Sequence, residues 1–361
     1  MSSPADAHRT LCEAVDDPYR FARRWQDDGG VLVGYVGDDL PLELVDAVGA
    51  LPVRLVARPE TNRREAGELL SGAVDPAAVA VLGDLLDGVI APDLVLISHE
   101  SDASLQLFYT LRELGRIGRK PAGVEIALVD VLHARRRTTT AYVTEQVRML
   151  TGRLEVLAST TVTPERLAVT IADRHRLRDE LALVADRQRA GRLAGVTALR
   201  YRLAAAALPA ATAVELLRDA RAAAPYEPSG APLLLTGSGH DTPHLYDELA
   251  DRGWNVTVDE ASSAAGAPAA SVAALALHCQ VERGGPNAAP VDERVQRLAA
   301  GASGAGVAAH LAYVRRGDDG LRWDVPVLAS TLSVPTALVH GQDLGGLRLD
   351  DRARDLLEMH V

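Results

Sequence analysis

The sequence predicts an α/β chain of two related Rossmann-like lobes with parallel sheets, plus a helical segment between them. The main observation is one local design that occurs twice, about two hundred residues apart. The first copy is Val31-Leu-Val-Gly-Tyr-Val-Gly37, Asp38-Asp39-Leu40-Pro41, Leu42 to Val48, Gly49, then Pro52 to Ala57. The second is Leu233-Leu-Leu-Thr-Gly-Ser-Gly239, His240-Asp241-Thr242-Pro243, His244 to Arg252, Gly253, then Asn255 to Asp259. Each reads as buried strand, Gly-ended turn, helix, Gly stop and second strand. Proline opens each helix, where its missing N–H would lack a partner anyway. Leu44, Val45 and Val48, and again Leu245, Tyr246 and Leu249, give each helix one buried face. A second observation is the alternation of strand and helix signals on both sides, which calls for parallel sheets. The third is the stretch between the copies, where apolar residues recur at helical spacing and no run resembles a strand.

In chain order, residues 1–30 read as a helical segment ending at Asp28-Gly29-Gly30. The first lobe, 31–137, has strand candidates at 31–37, 52–57, 94–99 and 124–131, with helices at 41–48, 76–87 and 102–115. Residues 138–224 read as several helices, one starting at Thr163-Pro164-Glu165 with Thr as cap. Pro225 to Pro232 is a linker rich in residues that cannot continue a helix. The second lobe, 233–361, has strands at 233–237, 255–259, 306–314 and 335–340. Its helices fall at 243–252, 268–279, 290–301, 325–332 and 349–359. Crevices at the carboxyl ends of parallel strands, between two such lobes, are where a ligand is expected.

Composition narrows the function. The net charge of −11 argues against nucleic acid, which needs a basic face to release counterions. No apolar stretch is long enough to span a bilayer and the start has no signal-like segment, so a cytoplasmic location is expected. Cys12 and Cys279 are too few for a disulfide framework and too far apart for a metal knuckle. Aromatics are scarce, so the cores must be small and branched aliphatics packed between helices and strands.

Three strand-to-helix turns are candidate sites. Gly37-Asp38-Asp39 ends the first strand. Gly237-Ser238-Gly239-His240-Asp241 resembles an anion cradle of backbone N–H groups, but it lacks a third fingerprint glycine and any Walker lysine. It is equally a tight turn whose Asp241 or Thr242 caps a helix. At Ser98-His99-Glu100-Ser101-Asp102, His99 and Asp102 are candidates for general acid–base work; alternatively Ser101 or Asp102 simply caps the next helix. The remaining substrate-binding candidates are Gly37, Asp38, Ser101, Gly237, Ser238 and His240. His240, Asp241 and His244 read as surface or capping residues rather than a metal site.

With these segments in hand, the chain resembles the 2-hydroxyacyl-CoA dehydratase and benzoyl-CoA reductase subunits. Gly34-Tyr35-Val36, Leu40-Pro41-Leu42-Glu43-Leu44 and Ala47-Val48-Gly49-Ala50-Leu51-Pro52-Val53-Arg54-Leu55 resemble the opening of their first lobe. Ser98 to Asp102 sits where the family has a "PHTCDS"-like turn, and Thr138 to Gly152 resembles the next helix. Leu233 to Asp259 resembles the segment that opens the second lobe. The resemblance implies an enzyme in which three cysteines hold an iron–sulfur cluster that passes an electron to an acyl-CoA thioester. It places those cysteines at Ser101, near Ala73 to Asp75, and near Arg315 to Asp318, none of which is cysteine here. Two thiols elsewhere cannot reproduce such a site. The expectation is therefore no metal or cofactor on this chain, with the iron–sulfur cluster on a partner.

Three functions compete. The preferred one is a cluster-less subunit of a dehydratase-like enzyme that pairs with a cysteine-bearing homologous subunit and helps bind an acyl-CoA or other small acyl substrate. The others are a redeployed non-redox enzyme using acid–base residues of the inter-lobe crevice, and a non-enzymatic binding or scaffold protein.

Overall fold

The computed structural model describes residues 3–359 except 72–73, 120, 122, 223–229, 261–267 and 284–289. The expected linker lies mostly outside these described residues. Two helices come first, α1 (Pro4–Asp16) and α2 (Arg20–Asp27). The first lobe follows as β1 (Leu32–Val36), α3 (Leu42–Ala47), β2 (Leu51–Arg54), α4 (Arg64–Leu69), α5 (Pro76–Leu86), β3 (Leu94–Ser98), α6 (Asp102–Arg116) and β4 (Glu125–Val129). Four helices occupy the middle of the chain: α7 (Arg137–Leu157), α8 (Pro164–Arg189), α9 (Gly195–Ala207) and α10 (Ala210–Arg221). The second lobe contributes β5 (Ala231–Gly237), α11 (His244–Asp251), β6 (Trp254–Asp259), α12 (Val272–Glu282), α13 (Val291–Ala305) and β7 (Ala309–Arg315). A 3-10 turn at Leu321–Asp324 precedes α14 (Val325–Thr331), β8 (Thr336–Gln342) and α15 (Asp351–Glu358).

The two sheets have the same topology. The first is ordered β2-β1-β3-β4 and the second β6-β5-β7-β8, and every pairing is parallel. The α/β fold of two related lobes is therefore as the repeated design predicted. In each lobe the connection reverses direction between the first and third strands, the switch point where open sheets leave a crevice. The glycine closing each first strand has the same unusual backbone, φ 111° at Gly37 and φ 106° at Gly237. A methyl group on Gly37 would lie 2.3 Å from Ser98 Cβ, and one on Gly237 2.0 Å from the Tyr313 carbonyl oxygen. Only glycine fits there, because both the positive φ and the close approach exclude a side chain.

Apolar residues fill both faces of each sheet. On one side of the first, Val95 and Ile97 meet Leu82 of α5 and Leu107 and Leu111 of α6. On the other, Leu94 and Leu96 meet Leu44 of α3 and Val143 and Val147 of α7. Leu275, Ala276 and Cys279 of α12 join this second group, so a helix from the latter half of the chain packs into the first lobe. In the second lobe, Leu233, Leu235 and Leu311 pack on α11 and α15, while Leu234 and Val258 pack on α13 and α14. Fully buried Trp254 donates its indole N–H to the Leu357 carbonyl at 2.9 Å, fixing α15 to the sheet.

The long α8 is a strut between lobes. Its start buries Leu167 and Ile171 against the first lobe. Its middle buries Leu177 and Val184 among α1, α9 and α10. Near its end Gln188 donates to the Val256 carbonyl of β6 at 3.0 Å. Among the described residues no helix is long and apolar enough to cross a membrane.

Candidate functional site

The carboxyl edges of the two sheets face each other. In the first lobe, pairing β1 with β3 brings three acidic side chains together, since Asp38 and Asp39 follow β1 and Glu100 follows β3. The Asp38 N–H donates to Glu100 Oε2 at 3.0 Å. Beneath them the Ser98 hydroxyl is wholly buried and has no hydrogen-bond partner among the described residues. Burial, with Asp38 and Asp39 close by, pushes the Glu100 carboxyl up to about 8. A carboxyl that titrates near neutrality at a sheet edge is suited to exchange a proton with a ligand.

Sequence reasoning placed the acid–base chemistry of this turn on His99 and Asp102, and the structure separates both from the carboxylate group. His99 Nδ1 lies 2.9 Å from Asp130 Oδ1, and the other oxygen of Asp130 accepts from the Tyr142 hydroxyl at 2.9 Å. That chain of polar groups runs toward β4 and α7. Asp102 is exposed in the first turn of α6. Ser101 is the N-cap: its hydroxyl accepts from the Ser104 N–H at 3.1 Å, and Ser104 Oγ accepts from the Ser101 N–H at 3.2 Å. The signal for Glu100 was the strand order, which the positions of the turns in sequence do not reveal.

The raised Glu100 value has a pH consequence. A folded pKa above the unfolded one means the native state holds more protons, so stability falls as pH rises. The favourable contribution is fully present below the ordinary glutamate value and is lost as pH rises through about 8. Glu100→Gln, which mimics the protonated form, is expected to flatten the fall in melting temperature between about pH 5 and pH 8. Parallel melting profiles for the two proteins would contradict the assignment.

In the second lobe the glycine turn uses its own N–H groups internally. Gly237 donates to Glu260 Oε1 at 3.1 Å and Ser238 donates to the Tyr313 carbonyl at 2.8 Å. The Ser238 hydroxyl donates to Asp318 at 2.5 Å and accepts from the Arg315 N–H at 2.9 Å. His240 is half-buried between the rings of Tyr246 and Tyr313, at 5.6 and 5.3 Å. Burial and the neighbouring Arg315 guanidinium push its pKa down to about 3, so the imidazole stays neutral. Asp241 caps no helix. It accepts from Arg54 Nε at 3.2 Å and from the Ala57 N–H at 3.0 Å, both in the first lobe.

Guanidinium–carboxylate pairs therefore pin the edges together. Arg315 forms a two-pronged bridge to Asp75 at 2.8 and 2.9 Å, and both side chains are nearly buried. Arg315 also donates to the Gly239 carbonyl. Arg54 reaches Asp38 at 2.7 Å as well as Asp241, and Arg63 pairs with Asp343. The remaining hollow between the lobes is lined by Ala57, Gly239, His240, Thr242, Tyr313 and Gly345, among others.

Of the positions near which the resemblance places cysteines, Asp75 and Arg315 lie on this seam. Ser101 caps α6, Asp75 and Arg315 bind each other, and Asp318 accepts from Ser238; Ala73 lies outside the described residues. A hydroxyl, two carboxylates and a guanidinium do not match a cluster held by three thiolates. Cys12 is on α1 with its sulfur 3.7 Å from His8 Nε2. Cys279 is buried in the core of the first lobe, where burial pushes its thiol up to about 12. Among the described residues no group of three His, Cys, Asp or Glu side chains is placed to hold a metal ion.

No curated protein matches the chain closely enough to serve as a relative. The family profile of the 2-hydroxyglutaryl-CoA dehydratase D-component matches residues 39–336, which take in the turns at Ser98–Asp102 and Gly237–Asp241, the last residue of the turn at Gly37–Asp39, and the helices between them. With that match covering most of its length, the chain belongs to the 2-hydroxyglutaryl-CoA dehydratase D-component family.

Proposed function

We propose that this chain is the cluster-free component of a dehydratase-like enzyme, paired with a cysteine-bearing homologue and helping to hold an acyl-CoA or related acyl substrate. One observation supports the reading: the bridge between Asp75 and Arg315 falls within the two stretches, Ala73 to Asp75 and Arg315 to Asp318, near which the resemblance places thiolate ligands. A buried two-pronged bridge holds the lobes together without metal, so the fold keeps its bilobal shape while redox chemistry is left to the partner. On this chain the inter-lobe edge supplies polar groups that orient a substrate: the Glu100 carboxyl and the neutral His240 ring. Gly37, Asp38, Gly237 and Ser238 shape the turns around it.

The raised Glu100 value also favours a second reading, a redeployed enzyme that runs acid–base chemistry in the crevice without redox. Glu100 then gives a proton to the substrate and takes one back, with His99 and Asp102 outside the immediate contact. Co-expression with cysteine-bearing homologues, size-exclusion chromatography and an acyl-CoA dehydratase assay with an activator separate the two. The first reading requires a stable complex whose activity needs this chain. Turnover by the isolated chain without iron, abolished by Glu100→Gln, establishes the second instead.

A further inference from the structure

The outer face of α7 carries an apolar seam that is left exposed among the described residues. Its inner face is used up, since Val143, Val147, Leu150 and Leu154 are buried against the first sheet. On the outer side Tyr142, Met149 and Val156 are 40%, 50% and 81% exposed. They recur every seven residues, the spacing that keeps one side of a helix facing a second helix. Between them Gly152 leaves open space where a side chain would stand, which allows a neighbouring helix close approach. The Tyr142 ring is held in place because its hydroxyl donates to Asp130.

We propose that this seam is a two-fold interface with a second copy of this chain, α7 packing antiparallel on α7. The sequence is self-complementary about Met149. A two-fold axis at Met149 sets each preceding residue against the one equally far beyond it in the other copy. Tyr142 then faces Val156, Gln146 faces Gly152, Glu145 faces Arg153, and Met149 faces itself. The apolar residues meet apolar residues, and the one acid of the seam meets a base. Glu145 and Arg153 are both well exposed and their present partners, Arg148 and Glu125, are surface pairs, which contribute little and exchange readily. A heterologous partner would not require that symmetry in this chain's own sequence. The seam is a strip about 21 Å long and about 10 Å wide, on the order of 200 Å², well short of the roughly 800 Å² per partner of a standard interface. The dimer is therefore expected to form in the micromolar range and to dissociate on dilution. It is a second interface, independent of pairing with a cysteine-bearing homologue.

Sedimentation of the full chain over a dilution series tests this. The wild type is expected to move from dimer to monomer. Glu145→Arg and Arg153→Glu alone each set like charges together and should weaken dimerisation at least tenfold, while the double reversal should restore it. Met149→Cys provides a separate check. A residue on a two-fold axis meets its own copy, so mild oxidation should give a cross-linked dimer, whereas Val169→Cys on α8 should not. A chain that stays monomeric at high concentration, or reversals that fail to rescue each other, overturns the proposal. So does protection of Met149→Cys only by a bound homologous subunit, which would assign the seam to that subunit.

Discussion

Glu43→Ala is expected to destabilise the native chain by about 3–5 kcal/mol, the cost of breaking a buried ion pair from one side. Glu43 is fully buried at the start of α3, with Arg178 of α8 at 3.1 Å and Arg283 just after α12 in direct contact. Arg283 also donates to the Leu40 carbonyl at 2.9 Å. Three distant parts of the chain thus meet on one carboxylate. Burial raises its pKa, but Arg283 and Arg178 outweigh that and hold it at about 2. A depressed folded value stabilises above the ordinary glutamate pKa, and the contribution is lost as pH falls toward about 2. Denaturant unfolding of wild type, Glu43→Gln and Glu43→Ala checks this, with the glutamine variant in between because it keeps a hydrogen-bond acceptor. A loss under about 1 kcal/mol for the alanine variant would show that the two arginines find other partners.

Arg315→Ala should cost about 2–4 kcal/mol, less than a wholly orphaned charge, because Asp75 keeps the Ala77 N–H at 3.0 Å as cap of α5. Arg315→Lys should recover only part of the loss, since an ammonium cannot reproduce the two-pronged contact. Replacing both partners by apolar residues of similar size should be milder than either single change, because no charge is left buried alone. A double-mutant cycle read by denaturant unfolding measures the coupling. Single effects that simply add in the double variant, leaving no coupling, would mean that the bridge does not hold the lobes.

Much of the fold was legible because the chain states it twice. The strand–Gly–Pro-helix design at Val31 and at Leu233 located both first strands, and each proposed strand lies within three residues of its observed bounds. The short α4 was missed, as six residues are too few to display a period. The packing of α12 into the first lobe was also hidden. Leu275, Ala276 and Cys279 make an apolar face, and such a face does not specify which sheet it covers. In the site, the turns were legible as strand ends, but the side chains they bring together were not. Glu100 acquires its character from Asp38 and Asp39, more than sixty residues earlier, and only the pairing of β1 with β3 brings them together. The bridges from Arg54, Arg63 and Arg315 join residues still farther apart in sequence, where no local pattern signals a partner.

The proposed function requires this chain's own residues to close the seam that cysteines would otherwise line. Iron and acid-labile sulfide per polypeptide, measured after anaerobic reconstitution of the isolated full chain and followed by visible absorption, test it most directly. No retained iron is expected on this chain, and a cluster only when the cysteine-bearing homologue is present. Stoichiometric iron with a broad charge-transfer band on the isolated chain would contradict it.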